Sequence, residues 1–95
     1  MVYEVETGDV FRAAYLVSRG GRVVKATVQG GDHVVLSLKG EDLDHEDLRY
    51  RTGAGMVEPL RLKENLNRLR DLVKKTLRTV EHHDRRFPHA THPAD

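Results

Sequence analysis

The chain contains no cysteine. Disulfide frameworks, thiolate metal sites and cysteine nucleophiles are therefore excluded, and a reducing compartment fits. No apolar run approaches the roughly 18–20 residues that span a bilayer. The opening MVYEVETGDV is acidic and lacks the apolar run of a signal peptide. These absences predict a soluble, cytoplasmic protein that does not engage membrane. Charge of one sign is also missing: 16 Lys and Arg face 15 Asp and Glu, a net of +1. That balance gives no global reason to bind nucleic acid. Aromatics are few (Tyr3, Phe11, Tyr15, Tyr50 and Phe87), and they are not interleaved with basic residues as in a base-stacking platform. The only serines, Ser18 and Ser37, sit in no nucleophile-elbow pattern.

What remains is 95 residues, enough for one small domain with a modest core. The first 39 residues read as strands. VYEVE (2–6) ends at the turn signal Thr7-Gly8-Asp9. VFRAAYLV (10–17) is dense in β-formers and ends at SRGG. RVVKATV (22–28) alternates, with Val24, Ala26 and Val28 on one face and Val23, Lys25 and Thr27 on the other. HVVLSLK (33–39) places Val34, Leu36 and Leu38 together. Short connections between period-2 segments predict an antiparallel meander of three to four strands with one apolar face.

Helices are expected to cover that face. Residues 42–50 predict a short helix, with Asp42 or Asp44 as its N-cap. RTGAG (51–55) reads as a link, and Pro59 suits the first turn of a second helix. From Leu60 to His83 the period becomes helical. Leu62, Leu66, Leu69, Val73, Leu77 and Val80 form one stripe with Leu72 at its edge, and Lys63, Asn67, Arg70, Lys74 and Arg78 lie on the opposite face. From Asp84 the period collapses. The expected organisation is a single α+β domain over residues 1–83, with one short and one long amphipathic helix after the sheet. Residues 84–95 are expected to form a disordered or loosely docked tail carrying His and Pro.

Two glycine pairs raise the question of ligand binding. A phosphate loop needs glycines between a strand and a helix. Gly20-Gly21 and Gly30-Gly31 fall between expected strands, where tight turns use them. Gly30, Gly31, Asp32 and His33 are the loop that would hold a ligand if either did. TGAG (52–55) precedes a helix but lacks the Gly-Lys-Ser/Thr of a nucleotide loop. Four of six histidines (His82, His83, His89 and His92) lie in the last fourteen residues. In a tail they bind metal only adventitiously, so no metal or other cofactor is expected. Adjacent strand residues face opposite ways, so Asp32 and His33 do not pair directly. The acids of 41–47 on a short exposed helix read as solvated charge. No catalytic residue is assigned, and a non-catalytic accessory or binding module is expected.

Charge is unevenly distributed. EDLDHEDLRY (41–50) holds five acids and one Arg, whereas residues 60–80 hold Arg61, Lys63, Arg68, Arg70, Lys74, Lys75 and Arg78 against Glu64 and Asp71. Either the two segments attract each other, or the long helix presents a basic docking face. In the second case Lys63, Arg70, Lys74 and Arg78 would bind nucleic acid phosphates, aided by Arg12, Arg19, Arg22 and Lys25. The leucine stripe is long for a small sheet. Leu62, Leu66, Leu69, Val73, Leu77 and Val80 are therefore candidates for binding a partner protein or a second copy in a helix-mediated homodimer.

The segment from Gly8 to Leu36 resembles the small accessory domain of lipoate–protein ligases. The likeness rests on Gly8, the aliphatic stretch Val10–Val17, the Gly20-Gly21 turn, the second stretch Val23–Val28, and Gly31-Asp32 followed by apolar residues. The resemblance implies an accessory subunit without catalytic residues of its own. It would assist activation of lipoate to its adenylate alongside a larger catalytic partner.

Overall fold

Strands and helices succeed one another as β1 (Val2–Thr7), α1 (Val10–Ser18), β2 (Arg22–Gln29), β3 (His33–Glu41), α2 (Leu43–Thr52) and α3 (Pro59–Thr91). The computed structural model describes the backbone of residues 1–91 and the side chains of residues 1–79. The protein is α+β, with a three-stranded antiparallel sheet as the alternation predicts. The order is β1-β3-β2, with β3 antiparallel to both neighbours. Val34, Leu36 and Leu38 of β3 are buried. Their register partners include Val5 and Thr7 on one side and Val23, Ala26 and Val28 on the other. The opposite face carries Glu4, Lys25 and Lys39, all exposed, with Lys39 Nζ 3.7 Å from Glu4 Oε1. One sheet face is therefore wet and the other needs a cover.

Residues 10–17, whose β-formers predict a strand, form helix α1 instead. Asp9 caps its N-terminus, Oδ1 accepting from the amides of Phe11 (2.9 Å) and Arg12 (3.3 Å). Ala13 and Ala14 are strong helix formers with no exposed surface. Gly20 then takes φ +103°, a left-handed value that an L side chain resists. The Gly21 amide donates to Leu16 O (2.8 Å) and the Gly20 amide to Val17 O (3.2 Å), which satisfies the last carbonyls of the helix. The first glycine pair thus ends a helix, whereas Gly30-Gly31 does turn a hairpin between β2 and β3. Because α1 links the two outer strands, β3 enters between them and the chain is not a meander.

The register of β2 shifts between Val23 and Lys25. This bulge turns Val23 toward the core beside Ala26 and Val28 and leaves Val24 47 % exposed. Strict alternation predicts Val24 on the same face as Ala26 and Val28, and the bulge is what removes it. Asp42 does precede α2, yet it sits at φ 55° and its side chain makes no cap bond. Its carbonyl accepts from the amides of His45 and Glu46 instead. Helix α3 starts at Pro59, as expected, and its backbone continues to Thr91, beyond the end of the apolar period at His83.

The helices cover the apolar face, α2 beside β1, α1 centrally and α3 over β2. Ala13, Ala14, Leu16, Leu43 and Leu69 join the three β3 residues in the core. Each large aliphatic side chain buried there contributes about 1.5–3 kcal/mol. Two polar ties fix α1 sideways. Toward α2, Arg12 donates to both oxygens of Asp47 at 2.6 and 2.5 Å, and the Asp47 side chain is only 9 % exposed. Toward α3, Asn65 Nδ2 donates to Ser18 Oγ (2.8 Å), which donates to Ala14 O (2.8 Å).

The Arg12 guanidinium holds the Asp47 carboxyl below the ordinary carboxylate range, against the opposing effect of burial. A folded-state value depressed below the unfolded value of about 3.9 means that the native state resists protonation. The stabilisation is complete above about pH 4 and fades as pH falls through the folded value. Chemical denaturation of Asp47→Asn at pH 7 should show a loss of about 2–4 kcal/mol, since the guanidinium loses its charged partner. The stability of this variant should also depend less on pH below 4 than that of the unaltered chain.

Candidate functional site

The acids of α2 and the bases of α3 do not meet. Glu46 accepts from Arg19 Nε (3.1 Å) and from the Tyr15 hydroxyl (3.2 Å), with Arg49 at 3.9 Å. Asp47 is held by Arg12, with Arg51 at 3.5 Å. Both carboxyls lie below the ordinary carboxylate range, Glu46 chiefly because of Arg19 and Asp47 chiefly because of Arg12. Attraction between segments 41–50 and 60–80 is thus not what balances their charge. Among the described residues, Arg61, Lys63, Arg68, Arg70, Lys74, Lys75 and Arg78 form no ion pair, and all seven are exposed.

Helical geometry sorts these cations into two rows. At about 100° per residue, Lys63, Arg70, Lys74 and Arg78 line one flank of α3, while Arg61, Arg68 and Lys75 line the other. Glu64 and Asp71 occupy the ridge between them. The first row therefore lies about a quarter-turn from the apolar stripe and not opposite it, and Arg70 from this row reaches α1. The guanidinium of Arg70 covers the Phe11 ring at 5.6 Å from its centroid, a cation–π contact.

Next to this contact is a cleft of about 400 Å³, lined by Phe11, Tyr15, Tyr50, Gly55, Val57 and Leu62 among others. Phe11 and Tyr15 are four residues apart on α1 and so share a face. Tyr50 comes from the last turns of α2, and its ring lies 5.4 Å from that of Tyr15 at 40°. Phe11 is 52 % exposed whereas Tyr15 is buried. Burial raises both tyrosine pKa values, helped by Glu46 at Tyr15 and by Asp9 at Tyr50. Both phenols remain protonated at neutral pH, so neither supplies a base or a nucleophile there. The lining can stack and bury a ligand but offers no group that titrates near neutrality. A second cleft, of about 340 Å³, lies on the far side of the α2–α3 loop and includes Ser18, Arg19, Met56, Val57 and Arg61.

The other residues singled out in the sequence are dispersed. Leu69 is 4 % exposed, and Leu62, Leu66, Leu72, Val73 and Leu77 pack against the chain's own core. The stripe is thus occupied from within as far as Leu77, and Val80 lies outside the described side chains. Gly30, Gly31, Asp32 and His33 form the exposed β2–β3 turn and line neither cleft. His82, His83, His89 and His92 also fall outside the described side chains. Among the described residues no three His, Asp or Glu side chains gather as a metal site requires, and no helix is long and apolar enough to cross a membrane. Ser18 is a hydrogen-bonded link between helices, and Ser37 is buried within the sheet. In the segment that resembles the lipoate–ligase accessory domain, the first aliphatic stretch is α1, so the segment is not strand–turn–strand.

The aromatic cleft escapes sequence inspection. The i, i+4 spacing of Phe11 and Tyr15 signals a shared face only if residues 10–18 are helical. The Asp9 cap and the Ala pair were the available signs. No family model, curated protein or solved structure matches the chain.

Gly55 shapes the cleft by its lack of a side chain. A Cβ there would lie 2.6 Å from the Tyr15 hydroxyl oxygen and 2.7 Å from its ring. Tyr15 is buried and cannot swing aside. Gly55→Ala should therefore cost about 1–3 kcal/mol in urea denaturation. Gly8→Ala serves as the contrast. Its Cβ would meet only the imidazole of exposed His33, so stability should stay within about 0.5 kcal/mol.

Proposed function

We propose that the protein is a non-catalytic nucleic-acid-binding module. The observation that carries this reading is that, among the described residues, the seven α3 cations have no carboxylate partner, while Glu46 and Asp47 of α2 are held by Arg12, Arg19, Arg49 and Arg51. An unpaired basic row attracts a polyanion and gains from release of its counterions. The row from Lys63 to Arg78 covers fifteen residue steps, about 22 Å of helix axis. That length matches six to seven nucleotides at the roughly 3.4 Å spacing of one DNA strand. The exposed Phe11 ring beside Arg70 supports nucleic acid over a purely acidic protein, because bases stack on aromatic faces and carboxylates do not.

Two other non-catalytic readings, a lipoate–ligase accessory subunit and a helix-mediated homodimer, have no comparable observation in their favour. The first rests on a strand where the chain has α1, and the second on a stripe that packs inward.

Fluorescence anisotropy of a labelled 12-nucleotide strand, titrated with protein at rising salt, tests the proposal. Four phosphate contacts predict a slope of log K against log salt of about −3. Joint reversal of Lys63, Arg70 and Lys74 to Glu should weaken binding at least tenfold at about 50 mM salt and flatten the slope by about 2. An absence of binding at that salt would overturn the proposal. So would polyglutamate competing as well as an unlabelled strand, which would point to an acidic protein partner.

A further inference from the structure

We infer that the aromatic cleft between α1, α2 and the α2–α3 loop takes up a single unpaired base, so that the protein selects single-stranded over duplex nucleic acid. This inference rests on the nucleic-acid-binding reading and specifies its ligand. Three rings contribute to the cleft, and a volume of about 400 Å³ exceeds what one base needs. The Phe11 ring is half exposed and holds the Arg70 guanidinium over one face, so a flat, delocalised group already stacks there and a base would take the guanidinium's place or stack beside it. Arg70, a member of the basic row, lies on Phe11, which lines the cleft. The phosphate-binding row and the stacking site therefore meet at Phe11. A strand running along Lys63, Arg70, Lys74 and Arg78 has a ring beside its path into which one base can turn.

The chemistry of the lining sets what is read. Phe11, Val57 and Leu62 offer only apolar surface, and the Tyr15 hydroxyl already donates to Glu46. Stacking without edge contacts tolerates any base, so sequence preference should be weak. A base in a duplex is paired and stacked on both sides and cannot enter without unpairing. Duplex DNA should bind only through the basic row.

Anisotropy with a 12-nucleotide oligo(dT) and with a 12-base-pair duplex, at the same salt, provides the test. The single strand should bind about tenfold more tightly. Phe11→Ala should remove most of that advantage and leave duplex affinity within twofold, whereas Phe11→Trp should retain it. Phe11 is exposed, so these variants do not threaten the core. Because the chain has no tryptophan, its own emission comes from tyrosine. In a Tyr3→Phe background, oligo(dT) should quench the emission of Tyr15 and Tyr50, and duplex should not. Equal affinities, or a Phe11→Ala effect shared by both ligands, would overturn the inference while leaving the basic row as a binding surface. Failure of both ligands to bind would overturn both proposals.

Discussion

Helix α1 has to lie flat on the sheet between two other helices, and the remaining features of the molecule follow from that constraint. Ala13 and Ala14 have no exposed surface, so a larger side chain at either position would hold α1 away from its neighbours. Apolar burial around Leu16, Leu36, Leu38 and Leu69 supplies most of the free energy, but it is not directional. Direction comes from the polar ties. Arg12 and Asp47 fix α1 against α2, and Ser18 and Asn65 fix it against α3. A buried hydrogen bond or ion pair is costly to leave unmade, so these pairs favour one arrangement over others of similar burial.

The same ties determine where charge remains. Arg12 of α1 and Arg19, at the C-cap of that helix, engage Asp47 and Glu46 of α2. Glu46 and Asp47 are therefore paired close to home, and among the described residues α3 keeps its basic rows. A chain with nearly balanced formal charge is thus locally lopsided. This division depends on which helices adjoin which, and composition says nothing about that.

Much of the architecture was legible beforehand. The alternation of Val34, Leu36 and Leu38 marks β3, and the leucine period marks α3, because each pattern repeats long enough to override local ambiguity. Residues 10–17 show the opposite case. Val, Phe and Tyr favour strands in isolation, yet the Asp9 cap, two alanines and Gly20 outweigh them once α1 can pack. Val24 was misplaced because a bulge breaks period two without changing composition. The basic row was visible as residues but not as a flank beside α1. The cleft was not visible at all, since Phe11, Tyr50 and Val57 come from three segments joined only by the fold.

The bulge at Val24 has a consequence for the rim of the sheet. Strands β1 and β2 are both outermost, and an outermost strand with free amides and carbonyls invites another chain to pair with it. In β2 the bulge interrupts the regular spacing of those groups, and in β1 the side chains of Glu4 and Glu6 set negative charge beside them. Both rims are thereby protected against strand addition. Growth of the sheet into larger assemblies is discouraged.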